Sequence, residues 1–176
     1  MTLYNLVAIF RQAIEKAKDA REFDNDISFY HFPCGCCGDT CYLLAKYLSE
    51  YGIRSFYMEM NRGDCSHAWI AIDDGKIKDP RTITYEFPEK IQIVIGGYSA
   101  GDFPAKGSYT KYEIDDFADA TIVDITADQF PDFEVPVFVG LMGSFQYSFE
   151  FRDAHIIEGL GSARLERLYQ KIKKYL

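Results

Sequence analysis

The run Phe32-Pro-Cys-Gly-Cys-Cys-Gly-Asp-Thr-Cys41 leads directly into the helical pattern Tyr42-Leu-Leu-Ala-Lys-Tyr-Leu-Ser-Glu50. A thiol at the start of a helix meets free backbone N–H groups and the positive end of the helix dipole, and both favour the thiolate. Cys37, followed by Gly38, sits at the expected first turn, with Cys36 as its rival. Cys34 precedes the helix, and Cys41 lies one turn inside it, where it packs as a small apolar residue. Gly35 and Gly38 would let a substrate approach the backbone closely. About thirty residues on, Cys65-Ser-His-Ala-Trp69 places an imidazole at the head of an alternating run. A thiol of lowered pKa and a histidine to take its proton are the minimum for nucleophilic cysteine catalysis, with Cys37 as nucleophile and His67 as base. The same residue types could instead hold zinc through Cys34, Cys37, Cys65 and His67, since Cys34-x-x-Cys37 has a common zinc-ligand spacing. Cys65 and His67 are only two apart, however, so one ion would take both only across a tight turn.

A catalytic imidazole needs a third group to fix its tautomer. Asp79 closes the segment Asp74-Gly-Lys-Ile-Lys-Asp-Pro80, which reads as the hairpin partner of the histidine strand. Asp124 lies in Ile122-Val-Asp-Ile-Thr-Ala-Asp-Gln-Phe130, where apolar neighbours imply burial and a buried carboxylate demands a partner. Burial favours Asp124, with Asp79 as the alternative. Of the other two histidines, His31 lies in the segment before the helix and His155 reads as a surface residue.

These groups need elements to position them. Residues 3–20 carry Leu6, Phe10, Ala13 and Ile14 on one helical face, with Arg11, Glu15 and Lys18 away from it. A second helix is expected from Cys37 to Glu50, stopping at Gly52. Arg54–Met60 and His67–Ile72 read as strands around the turn 61–64, and Lys76–Asp79 as a third. Further strands are expected at Ile91–Ile95, closed by Gly96-Gly97, at Thr121–Ile125 and at Val135–Val139. The alternation over Phe145–Phe151 suggests one more, while Gly-, Ser- and Pro-rich 98–111 reads as a surface loop. Ser162 caps a last helix whose Leu165, Leu168, Tyr169 and Ile172 form one stripe. Helices first, strands in the middle and a helix last predict a single α+β domain with a mainly antiparallel sheet.

Composition narrows the function classes. With 176 residues, 48 % of them apolar, the chain can bury a core without disulfides. A net charge of −8 argues against nucleic acid or an anionic membrane as partner. No apolar run reaches the length of a membrane span, and the first residues lack the layout of a secretion signal, so a cytoplasmic protein is expected. All five cysteines fall between positions 34 and 65, an odd and crowded set that suits catalysis or metal better than stapling.

Taken in order, Cys36-Cys-Gly-Asp-Thr40, Ser66-His-Ala-Trp69 and Val123-Asp-Ile-Thr-Ala-Asp-Gln-Phe130 resemble the transglutaminase-like branch of the papain-like cysteine enzymes. The resemblance covers about residues 33–130 and implies a cysteine-led helix packed on a sheet that carries histidine and then aspartate on neighbouring strands. It implies Cys37 as nucleophile, His67 as base and Asp124 or Asp79 as orienting group. Gln129 is the one nearby side chain that could assist an oxyanion. The implied reaction is thiol-protease-like or acyl-transferring chemistry on an amide or peptide bond of a peptide or protein substrate, with a thioester intermediate and no cofactor. The separation of His67 from Asp124 is long for strands joined by a hairpin, which makes 80–120 an expected insertion. The superfamily also contains inactive members, so a peptide-binding module of the same fold is the alternative.

Overall fold

Residues 1–86, 91–95, 98–103 and 106–176 are described by the computed structural model. Helix α1 spans Leu3–Asp19 and starts at Thr2, whose hydroxyl accepts the Asn5 N–H at 3.2 Å. It buries Leu6, Val7, Phe10, Ala13, Ile14 and Ala17, as the periodicity predicts. Arg11 corrects that reading: it is buried too, because its guanidinium reaches carboxylate and carbonyl partners across the core. Helix α2, Cys37–Ser49, buries Cys41, Leu44 and Leu48. It unwinds through Gly52, at φ +75°, while the Ile53 N–H returns to the Leu48 carbonyl at 3.1 Å. Helix α3, Ala163–Lys173, is capped by Ser162, whose hydroxyl accepts the Leu165 N–H, and it buries the expected stripe.

Between them the chain builds β1 (Ser55–Arg62), β2 (Cys65–Ile72), β3 (Arg81–Glu86), β4 (Ile91–Ile95), β5 (Tyr98–Phe103), β6 (Lys106–Lys111), β7 (Ile122–Asp124), β8 (Phe138–Gly140) and β9 (Glu150–Ile156). Five strands form one sheet in the order β8-β7-β2-β1-β9, and every pairing in it is antiparallel. The architecture is α+β.

Strand alternation sends Ala68, Ile70 and Ile72 of β2 to one face, with Val123 of β7, under Phe10, Ile14, Leu44, Leu48, Leu168 and Ile172 of the helices. The opposite face carries Met58, Met60, Trp69 and Ala71 against Phe117, Phe145 and Phe149. Burying six or more large side chains on each face, at about 1.5–3 kcal/mol apiece, fixes the strand register that places every side chain discussed below.

Three expectations are corrected. Lys76–Asp79 is not a strand: the place beside β2 is taken by β7, and the Lys78 N–H bonds instead to the Asp116 carbonyl. Residues 98–111 hold strands β5 and β6, which pair with β4 and β3 in two separate two-stranded sheets. Strands β3 to β6 thus lie outside the main sheet, between β2 and β7 in sequence; the Gly96-Gly97 expected to close β4 falls outside the described residues. Phe145–Phe151 is not one strand either. Ser148 Oγ donates to the Phe145 carbonyl at 2.6 Å and Gln146 Oε1 accepts the Gly143 N–H. These local bonds wind residues 146–148 into a 3-10 turn before β9 begins.

Candidate active site

Helix α2 begins beside the N-terminal end of β2, so Cys37, Gly38, His67 and Ala68 line one pocket of about 280 Å³. Gly35, at φ +71°, takes a left-handed turn just before the helix that a side chain would strain. Cys36 occupies the N-cap and makes no side-chain cap bond, so its thiol leaves the first amides of the helix uncapped. Gly38 keeps the first turn close to β1, since a Cβ there would meet Tyr57 Oη at 3.3 Å.

The thiols separate by burial. Cys36 is 2 % exposed, and burial pushes its thiol up to about 12; burial likewise raises Cys41 well above the ordinary range. Cys37 is half-buried on the pocket wall, whereas Cys34 and Cys65 are exposed. The rivalry at the helix start resolves by position: Cys36 turns into the core and Cys37 faces the pocket. Among the described residues, no three of His, Cys, Asp and Glu are grouped to hold a metal ion, so Cys34, Cys37, Cys65 and His67 do not converge on a zinc site.

The register Ile70↔Val123 sets Asp124 opposite Trp69, which makes it a diagonal neighbour of His67. His67 Nε2 donates to Asp124 Oδ2 at 2.7 Å, with both side chains essentially excluded from solvent. The other oxygen, Asp124 Oδ1, accepts the Thr126 N–H at 2.9 Å and the Thr126 hydroxyl at 3.2 Å, so the buried carboxylate is fully partnered. Burial disfavours a charged His67, but its hydrogen bond to Asp124, its interaction with the Cys37 side chain and the charges of both outweigh that. The imidazole is pushed up from 6.5 to about 9. Edge contacts from Trp69 and Phe130, with ring centroids 5.6 and 4.9 Å away, fix the plane of the ring.

Gln129 lies beside the imidazole, its Nε2 3.3 Å from His67 Nδ1. Its carboxamide spans two loops: Nε2 donates to the Thr126 carbonyl at 2.9 Å, and Oε1 accepts the Gly35 N–H at 3.4 Å. Asp79 is exposed and follows β2 at the end remote from His67, about 17 Å of strand away at 3.3 Å per residue. The structure therefore gathers Cys37, His67, Asp124 and Gln129 and leaves Asp79 apart. His31 is exposed, and His155 is an exposed residue of β9 that bonds Tyr42 Oη through Nε2 at 3.0 Å.

Two arginines that the sequence reading did not assign to the site hold it from behind. Arg11 bonds both carboxylate oxygens of Asp128, at 3.0 and 2.8 Å, and the Ile125 carbonyl, so α1 grips the turn that follows Asp124. Arg62 forms a bidentate pair with Asp132, at 2.6 and 3.0 Å, and lies over the rings of Phe130 and Phe149 that flank His67. Arg11 had a sequence signal, since it sits four residues after Val7 and three before Ile14 on the buried face. Arg62, in a hairpin, had none.

No family model, curated protein or solved structure matches the chain.

Proposed function

We propose that the chain is a cysteine-nucleophile enzyme of papain-like, transglutaminase-like architecture acting on an amide or peptide bond, with Cys37, His67 and Asp124 as its working set. The observation that carries this reading is His67, buried between Asp124 and Cys37 and held protonated across neutral pH, beside the one half-buried thiol that faces a pocket. An imidazolium next to a thiol at a helix start favours the thiolate.

In the proposed cycle the Cys37 thiolate forms a C–S bond to the substrate carbonyl carbon, and the carbonyl electron pair moves to oxygen. Backbone N–H groups at the start of α2 receive the oxyanion, and no side-chain cap competes for them. The tetrahedral adduct collapses to a thioester as the C–N bond breaks, and the departing amine takes a proton from His67. The now neutral imidazole removes a proton from water or from an incoming amine, which attacks the thioester and releases Cys37. Asp124 keeps the ring oriented throughout. The set calls for no cofactor, and five free thiols fit a reducing, cytoplasmic setting.

Alkylation of the native protein at pH 5–9, with peptide mapping, tests the pair. Cys37 is expected to react selectively well below the free-thiol pKa of about 8.5, and His67→Ala to abolish that selectivity while the fold persists. Uniform, slow labelling of all five cysteines would overturn the proposal.

A further inference from the structure

The pocket in front of Cys37 is charged in a particular way. Its wall includes Asp39, Tyr57, Glu59, Ser66 and His67. Asp39 is already paired, since Arg164 of α3 donates to it at 2.7 Å while also holding Asp26. The His67 imidazolium is committed to Asp124 and Cys37. Glu59 has no such partner: it is exposed on the pocket side of β1 and bonds to no cation among the described residues.

The sheet register sharpens this. Glu59 stands directly opposite Asp153 of β9, and Asn61 opposite Glu150, so three carboxylates share the face of the sheet that runs outward from the pocket. Directly opposed residues of an antiparallel pair have Cβ atoms about 4.5–5.5 Å apart, and like charges there are destabilising. The nearest cations do not relieve them. Asp153 reaches only His155, at 3.9 Å, and Arg152 in the intervening bulge pairs with neither neighbour. Tyr57 cannot turn to fill the space. Its ring is stacked between Tyr42 and His155, at 5.4 and 5.0 Å, which leaves only its edge and hydroxyl toward the pocket.

We infer that this pocket selects substrates with a cationic group flanking the scissile amide, and that Glu59 is the specificity-determining residue. An ammonium or guanidinium seated between Glu59 and Asp153 would relieve the opposed carboxylates. The inference rests on Cys37 being the reactive thiol of the proposed enzyme. It extends that reading by naming the charge of the substrate.

Charged thiol reagents of matched size test it without knowledge of the substrate. Rates of Cys37 modification are measured with cationic aminoethyl methanethiosulfonate and anionic sulfonatoethyl methanethiosulfonate, in wild type, Glu59→Gln and Asp19→Asn. Asp19 is an exposed carboxylate at the far end of α1 and serves as the control for net charge. Wild type should prefer the cationic reagent. Glu59→Gln should lower the cation-to-anion rate ratio about thirtyfold, since one unit charge about 4 Å away through water changes the two rates about fivefold each in opposite directions. Asp19→Asn should leave the ratio unchanged.

Added salt should erode the wild-type preference, as for any exposed charge. Two peptide series then separate the sources of the cation. Acyl donors with Lys or Arg beside the amide should outperform Ala or Glu analogues if the cation belongs to the donor. If it belongs to the accepting amine, donor charge will not matter, and the inference as stated fails. Equal ratios in wild type and Glu59→Gln overturn the specificity while leaving the reactive thiol standing. A Cys37 inert to both reagents overturns the catalytic reading and this inference with it.

Discussion

At the scale of single residues, the chemistry turns on where one proton sits. His67 is raised from 6.5 to about 9 because Asp124 and Cys37 together outweigh the cost of burying its charge. A group raised in the folded state stabilises the fold fully below its unfolded pKa and loses that contribution as pH climbs through the folded value. His67 should therefore contribute on the order of 3 kcal/mol below pH 6.5, fading between pH 6.5 and 9. Urea melts across pH 5.5–9.5 would show this slope in wild type, and Asp124→Asn should flatten it. The imidazole proton resonances should titrate near 9 in wild type and well below that in the variant. A wild-type His67 titrating near 6.5 would contradict the assignment.

At the scale of elements, the site is an arrangement of ends: the first turn of α2, the first residues of β2 and the last residue of β7. Arg11 ties α1 to the turn after β7, and its loss would strand Asp128 and the Ile125 carbonyl in a poorly solvated place. Arg11→Met is expected to cost about 3–5 kcal/mol in a urea melt, and the joint change Arg11→Met with Asp128→Leu to recover much of that loss. A single-variant cost below 1 kcal/mol would show that the pair does not support the turn.

The helices, β1, β2 and the thiol–imidazole pair were legible because each is written locally, in a 3.6 or 2.0 period or in the run at 34–41. Asp124 was legible from its apolar flanks alone. What could not be read locally was which strand lies beside β2. Lys76–Asp79 has the sequence of a hairpin partner but loses the place to Ile122–Asp124, because Ile122, Val123 and Ile125 bring more apolar surface to the two cores. Arg11 was misplaced for a related reason: a charge belongs outside until a carboxylate more than a hundred residues away meets it.

For the whole molecule, neither the main sheet nor the pocket at Cys37 takes a described residue of β3, β4, β5 or β6. Arg81 and Lys111 face each other across β3 and β6, so the chain leaves and returns at one point. Replacing residues 82–110 by an Asn-Gly turn should keep the five-stranded sheet and the Cys37 alkylation rate, with a stability change within about 1 kcal/mol from loop closure. Circular dichroism and the labelling assay check both, and loss of Cys37 reactivity with the fold intact would assign the replaced segment a part in the site.

The reach of Arg164 from α3 back to Asp39, 125 residues earlier, carries a further consequence, for biosynthesis. Chains emerge at about 5–20 residues per second, so Asp124 follows His67, 57 residues before it, by about 3–11 s, and Arg164 follows Asp39 by about 6–25 s. Cys37 leaves the ribosome before His67 and Asp124, and Asp39 before the arginine that pairs with it. A nascent chain therefore carries Cys37 without its neighbours, and the proposed set of Cys37, His67 and Asp124 is complete only after β7 has emerged, so that for those seconds the growing polypeptide would be spared the proposed chemistry.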